Sequence, residues 1–344
     1  MDASPLRRAL TALANRQSLS ESQTTEVFGI VMSGEATPAQ TGALLMGLRA
    51  KGETADELAG AVRALREAMV RVSATQPHLV DTCGTGGGTV PTFNISTVAA
   101  FVAAGAGAVV PKHGNRSYTS RCGSADVLEA LGIRIVLDAS HASRVLNDAR
   151  VVFLFAPNFH PAMKHVGPVR RELGTPTLMN LVGPLANPAG VKRQVIGVAE
   201  SDRAAIVAEA LVRLGAEHAL VVNGRVGMDE ISPLGITDVW EVKDGAVRTW
   251  EIDPARFRLG IEDVAALQGG EPAANAERLE RILGNGSADP AGLAAVLLNA
   301  GAAIYVAGIA GSLAEGIGRA REVVASGAAR AALDRLRKAT ASIS

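Results

Sequence analysis

The apolar positions of the first 75 residues recur at helical intervals: Val27, Ile30 and Val31, then Leu44, Leu45 and Leu48, then Leu58, Val62, Leu65 and Met69. Each stripe follows a capping box, in which a hydroxyl and a carboxylate or amide three residues later satisfy one another's backbone N–H groups. The pairs are Ser20 with Gln23, Thr37 with Gln40 (Pro38 at the first helical position) and Thr54 with Glu57. Gly34, Gly52 and residues 74–77 break the pattern. The boxes are evenly spaced, but the stripes differ in detail, so the prediction is a helix bundle and not a repeat.

From His78 short apolar runs alternate with Ala-rich segments. Leu79-Val80 leads into a glycine-rich turn. Residues 108–111, 151–155 and 219–222 read as buried strands; residues 97–106, 125–131, 293–300 and 312–326 read as helices. Residues 238–252, centred on Asp244-Gly245, read as a hairpin. Strand–helix alternation predicts a mainly parallel central sheet covered on both faces.

Composition narrows the partners. The chain has 344 residues, 48% of them hydrophobic, enough for one large domain or two unequal ones. Its 34 basic residues balance 34 acidic ones, which argues against nucleic acid or an anionic membrane as partner but allows a local basic pocket. No apolar run reaches membrane-spanning length and no signal peptide is legible, so the expected location is cytoplasmic. Cys83 and Cys122 lack metal-ligand spacing and read as free thiols.

The densest chemistry lies between residues 81 and 124. Asp81-Thr82-Cys83-Gly84-Thr85-Gly86-Gly87-Gly88 is followed by Asn94-Ile95-Ser96-Thr97 and then Lys112-His113-Gly114-Asn115-Arg116. Glycines let backbone N–H groups approach an anion, and hydroxyls at a helix N-terminus sit where the dipole favours negative charge. Lys112 and Arg116 add full positive charge. The three segments together predict a pocket for a ligand with more than one phosphate. No lysine follows the glycines as a Walker A loop requires, and Thr89 stands where a Rossmann fingerprint needs its last glycine.

This ordered trio resembles the anthranilate phosphoribosyltransferase family of tryptophan biosynthesis, and the resemblance extends over nearly the whole chain. It implies a nucleoside phosphorylase/phosphoribosyltransferase-like α/β fold, with a small helical domain of residues 1–75 plus about 170–190. A large α/β domain would hold residues 76–169 and 191–344, with hinges near both crossings. The implied reaction joins anthranilate to phosphoribosyl pyrophosphate, releasing pyrophosphate. The implied phosphoribosyl pyrophosphate contacts are Gly84, Gly87, Gly88, Thr92, Asn94, Ile95, Ser96, Thr97, Lys112, His113, Gly114, Asn115, Arg116, Ser117, Tyr118, Thr119, Ser120 and Ser124. Gly84, Asn115 and Arg170 would contact anthranilate, Arg170 through its carboxylate, since a guanidinium can bind a carboxylate by two parallel bonds. Ser96, Asp229 and Glu230 would hold Mg²⁺, two ions per subunit, and Lys112, Asp229 and Glu230 would act electrostatically.

His113 reads more readily as a hydrogen-bonded structural residue, because the amine of anthranilate is neutral near pH 7 and needs no strong base. The family also implies a homodimer paired through the helical domain; association with anthranilate synthase is left open. Four positions depart from the family: Gly88 stands for the usual Asp, Pro176 for Arg, and Tyr118 and Cys122 for smaller or hydroxyl residues. A pyrimidine nucleoside phosphorylase is an alternative on the same fold, but its Gly-His-Thr-Gly-Gly-Thr segment is absent. A nucleic-acid-binding relative would need basic stripes that a neutral chain lacks.

Overall fold

The computed structural model describes residues 4–117 and 121–343. Four helices open the chain: α1 (Pro5–Ala14), α2 (Glu21–Ser33), α3 (Pro38–Lys51) and α4 (Ala55–Ala68). The three capping boxes form with both bonds in place. α1, which the stripes do not announce, starts on Ser4 and Pro5. Glu57 does more than cap α4. Buried, it accepts Thr54 N–H at 2.9 Å, Leu19 N–H at 2.9 Å and the Lys51 ammonium at 3.0 Å, so one carboxylate ties three segments.

The chain continues through β1 (Asp81–Gly84), α5 (Ile95–Gly105), β2 (Val110–Gly114), α6 (Ser124–Ala130), α7 (Ala139–Ala149), β3 (Val151–Phe155) and α8 (Ala156–Phe159). After a 3-10 turn come α9 (Gly167–Leu173), α10 (Met179–Leu185), β4 (Arg193–Gly197), α11 (Ser201–Arg213) and β5 (His218–Gly224). The hairpin β6 (Thr237–Lys243) and β7 (Ala246–Ile252) turns at Asp244 and Gly245, both at positive φ, 52° and 73°. Four helices close the described chain: α12 (Pro272–Asn285), α13 (Pro290–Val306), α14 (Leu313–Ala325) and α15 (Ala328–Ala341). α13 runs well beyond the expected 293–300, because its Ala, Gly and Leu residues are buried almost all round and show no amphipathic edge.

β1, β4 and β5 are parallel, and β6 and β7 extend the sheet antiparallel in the order β1-β4-β5-β6-β7. β2 and β3 form a parallel pair, joined to the β1 side by the Leu79–Val109 bridge. Chain order therefore reverses at β1, whose neighbours lead to β2 on one side and β4 on the other. Ligands of open α/β sheets bind beyond the carboxyl ends of the strands at such a switch point, and the glycine turn begins there.

Alternate residues of the strands feed two cores. Val195, Leu220 and Val222 join α5, α13 and α15. Ile196, Ala219 and Val221 join α11, residues 178–186 and the α1–α4 bundle. Two polar ties reinforce the second contact: buried Arg203 of α11 bonds Glu53 at 2.6 Å, and Arg66 of α4 donates to the Leu185 carbonyl at 2.6 and 3.0 Å. Among the described residues no helix is long and apolar enough to cross a membrane.

Candidate active site

The glycine turn folds around one carboxylate. Gly86 and Gly87 take positive φ, 70° and 85°, which carries the chain back over the end of β5. A Cβ built on Gly84 would lie 3.0 Å from Asp229 Oδ2, on Gly88 2.8 Å from Oδ1, and on Gly197, at the end of β4, 1.7 Å from the Asp229 carbonyl oxygen. Gly84, Gly88 and Gly197 thus form a cradle that brings backbone close around Asp229, and at Gly197, against the Asp229 carbonyl, no side chain fits. The turn is fastened by Thr85 N–H to the Gly197 carbonyl at 2.8 Å and Thr89 N–H to the Gly227 carbonyl at 2.8 Å. Asn223 links the ends of β5 and β4 through the Val198 and Ala199 carbonyls.

Glu230 lies next to Asp229 and under the start of α5, where the backbone N–H and hydroxyl of Ser96 bond it. Burial, then the charge of Asp229, pushes its carboxyl up to about 8. Burial also raises Asp229, against hydrogen bonding from Gly86 N–H. The nearby cation is Lys112, buried, donating to the Thr82 carbonyl and, at 3.2 Å, to Ser96 Oγ. Behind it Asp81 is completely buried and accepts His113 N–H at 3.2 Å and Asn187 Nδ2 at 2.8 Å. Burial raises its carboxyl while Lys112 opposes the rise.

These bonds explain why β2 runs to Gly114 instead of ending at residue 111: Lys112 and His113 are polar, but their groups are satisfied inside the fold. His113 Nε2 lies 3.2 Å from His160 Nε2, so one ring donates and the other accepts. Burial first, then the His160 charge, lowers His113 to about 3; burial lowers His160 to about 4. Asn187 also donates to the Pro111 carbonyl at 2.8 Å, Gln194 donates to the Pro184 carbonyl at 2.9 Å, and the Cys83 thiol reaches the same carbonyl at 3.7 Å. The stretch after α10 is thereby bound to β1, β2 and β4.

Other expected contacts sit differently. α5 begins at Ile95, two residues earlier than expected, so Thr97 lies inside its first turn with a buried hydroxyl that has no hydrogen-bond partner. The Ile95 side chain is in the core. Asn94 donates to the Cys122 carbonyl at 3.1 Å and accepts from Asn275 at 3.0 Å; half-buried Thr92 precedes it. Arg116, expected on phosphate, is paired with Asp126 at 2.8 Å and Glu129 at 2.6 Å of α6. Asn115 Oδ1 accepts Arg116 N–H, Ser117 N–H points to Asp126, and Ser124 Oγ donates to the Asn115 carbonyl. Arg170 is half-buried in the last turn of α9. Tyr118, Thr119 and Ser120 lie outside the described residues.

Gly197, Asp81 and Asn187 are the site-supporting residues that sequence reasoning missed. A lone glycine or asparagine carries no local motif, and Asp81, though it opens the glycine segment, shows no role until its partners are in place. Asn299 belongs with them: its amide exchanges two bonds with Ile231, at 3.0 and 2.9 Å, and fixes the loop after Glu230 to α13.

Comparison with known proteins accords with this geometry. Residues 76–330 match the family model described as glycosyl transferase family, a/b domain, and residues 7–69 match the glycosyl transferase family, helical bundle domain. The anthranilate phosphoribosyltransferase of Laribacter hongkongensis is 48% identical over 331 residues, covering 96% of each chain. The crystal structure of the Thermus thermophilus anthranilate phosphoribosyltransferase superposes with a TM-score of 0.92 at 42% identity, covering 97% of this chain and 99% of that one. The Saccharomyces cerevisiae enzyme in complex with PRPP and Mg gives a TM-score of 0.89 at 28% identity, covering 99% of both.

Proposed function

The chain belongs to the anthranilate phosphoribosyltransferase family, and from that premise we propose that it transfers phosphoribosyl from phosphoribosyl pyrophosphate (PRPP) to the amine of anthranilate in tryptophan biosynthesis. The observation that carries the reading is the adjacent, half-buried Asp229–Glu230 pair beside the switch point, both carboxyls raised by desolvation and flanked by the glycine turn and the start of α5. Two adjacent, largely desolvated carboxylates are costly without a cation.

Among the described residues no group of three or more His, Cys, Asp or Glu could hold a metal alone. Two carboxylates and the Ser96 hydroxyl suit Mg²⁺ instead, which fills its shell with waters and substrate oxygens. Held by Asp229, Glu230 and Ser96, two ions per subunit would neutralise charge on the departing pyrophosphate. The backbone N–H groups of residues 84–88 and of the α5 start are suited to hold phosphate oxygens, and Lys112 adds a fixed positive field from behind. Arg170 would grip the anthranilate carboxylate, leaving the amine to face the ribose. His113 and His160 are neutral at pH 7 and bonded to each other, which supports a structural role for them. The proposal includes a homodimer formed through the helical domain of residues 1–75 and about 170–190, a cytoplasmic location, and no nucleic-acid or membrane partner.

The test follows the fluorescence of anthranilate with PRPP and Mg²⁺. The full chain should consume anthranilate only when both are present. Arg170→Ala should weaken apparent anthranilate affinity by about 10- to 150-fold, the equivalent of losing a charge-assisted bond of about 1.5–3 kcal/mol, while PRPP dependence changes little. An unchanged anthranilate affinity removes Arg170 from the acceptor site; no turnover in the wild type removes the function.

A further inference from the structure

At the end of the sheet opposite the glycine turn, the starts of β4 and β5, the β6–β7 turn and the segment after α13 enclose a cavity of about 450 Å³. Small-molecule sites typically measure about 300–1,000 Å³. Its distance from the switch point follows from the strands: β4 enters at Arg193 and leaves at Gly197, roughly 13 Å later at about 3.3 Å per residue.

The polar groups of its wall fall into two sets. Glu241, behind the wall, is fully engaged: it accepts His218 Nε2 at 2.8 Å, Tyr305 Oη at 2.8 Å and Trp250 Nε1 at 3.1 Å. These bonds, His218's first, hold its carboxyl below the usual range. Two other groups are not engaged. His218 is buried, at 4% exposure, yet its Nδ1 has no hydrogen-bond partner among the described residues. The Lys243 ammonium lies 5.5 Å from the centre of the Tyr305 ring and has no ion-pair or hydrogen-bond partner among the described residues. With its Nε2–H given to Glu241, the one-proton tautomer of the ring offers a lone pair on Nδ1. The wall thus presents an acceptor, a cation and an aromatic face.

Charge narrows the ligand further. Arg193 and Lys243 on the lining are matched by Glu217 and Asp244, and Arg193 already bonds the Val306 carbonyl at 3.0 Å and Glu217 at 3.3 Å. Glu217 is already paired with Arg193 and Lys192, so Asp244 and one uncommitted cation, Lys243, set the local balance. One cation matches a monoanionic carboxylate; a phosphate dianion would keep an unmatched charge beside Asp244.

We propose that this cavity binds a small carboxylate carrying a hydrogen-bond donor on the adjacent carbon, the class shared by α-hydroxy and α-amino acids. The carboxylate pairs with Lys243, the donor bonds His218 Nδ1, and the aliphatic remainder lies against Tyr305 and the small residues Gly308 and Ala310.

Three probes share one skeleton and differ only in that donor: L-leucate, L-leucine and 4-methylpentanoate. Binding to the full chain is measured by ligand-observed NMR and calorimetry. At least one of the first two should bind with a Kd of about 1 mM or tighter, and 4-methylpentanoate at least tenfold more weakly. Which of the two binds better identifies the donor as hydroxyl or ammonium. Lys243→Ala, an exposed position outside the proposed transferase site, should weaken binding tenfold or more and leave turnover unchanged. Absence of binding by all three at about 10 mM, equal binding by all three, or undiminished binding to Lys243→Ala overturns the proposal.

Discussion

Glu241 and Glu230 stand at opposite ends of one sheet and answer burial in opposite ways. Glu241, paired in register with Leu220 of β5, is given three donors and its carboxyl is held down. Glu230, just past the end of β5, is pushed up to about 8, first by desolvation and then by the second carboxylate beside it. Hydrogen bonds outweigh desolvation at Glu241, and desolvation outweighs them at Glu230. The protein completes the first group from its own side chains and leaves the second in need of a cation. An acid whose donors outweigh its desolvation supports the fold; one that desolvation and a second carboxylate raise despite its donors costs stability that a cation can restore.

The largest test removes the unsatisfied pair. Asp229→Asn with Glu230→Gln keeps shape and removes both carboxyls that could ionise around a cation, so activity should fall roughly 10³-fold, corresponding to about 4 kcal/mol of lost charge stabilisation. The melting temperature should hold or rise, because a desolvation cost disappears. Mg²⁺ with PRPP should raise the melting temperature of the wild type but not of the double variant. Wild-type activity at low Mg²⁺ in that variant reduces the pair to a buried turn. Glu241→Gln is the converse experiment. It should cost about 1–3 kcal/mol in urea unfolding by leaving Tyr305, Trp250 and His218 poorly paired, with turnover per folded molecule little changed. If both variants lose stability alike, the contrast between the two ends is wrong.

The cradle offers a finer probe. Gly88 stands where the family resemblance implies Asp, and a Cβ there would press on Asp229 Oδ1 at 2.8 Å and the Gly227 carbonyl at 3.0 Å. Gly88→Asp therefore cannot simply add a carboxylate; it must move Asp229. We expect the Mg²⁺ optimum to shift about tenfold, or about 1.4 kcal/mol, with anthranilate affinity altered less. Superimposable Mg²⁺ titrations of the two proteins would make position 88 a spacer.

Legibility follows the range of the interactions. The capping boxes, the Asp244-Gly245 hairpin and the order of the three site motifs are written in residues close together along the chain, and each is readable from the sequence. What escapes depends on distant partners. Arg116 reads as a phosphate ligand, and only the fold shows that α6 sets Asp126 and Glu129 beside it. Lys112 and His113 read as loop residues until Ser96, Asp81 and His160 satisfy them and let β2 continue. Gly197 can be recognised only once Asp229 fills the place of its missing side chain. Periodicity cuts α13 short because a helix buried on every side shows no stripe.

The smallest expected effect distinguishes the histidines of the site end. His113 and His160 share one short Nε2–Nε2 contact, so protonating both would set two charges side by side in the core. Both are depressed from an ordinary 6.5, to about 3 and about 4. The unfolded chain therefore takes up protons below about pH 6.5 while the folded chain does not, and stability rises with pH through that window. It is fully present above 6.5 and is lost as pH falls toward 4 and then 3. Between pH 7 and pH 6 the loss should be about 0.7 kcal/mol for each histidine, a shift readable in the urea midpoint. His160→Gln leaves one titrating ring and should remove about half of the slope that the pair contributes; His113→Gln with His160→Gln should remove all of it. If the double variant keeps the wild-type slope over this interval, the pair is already protonated in the folded state, and its contact must be held by some other group than the neutral imidazoles.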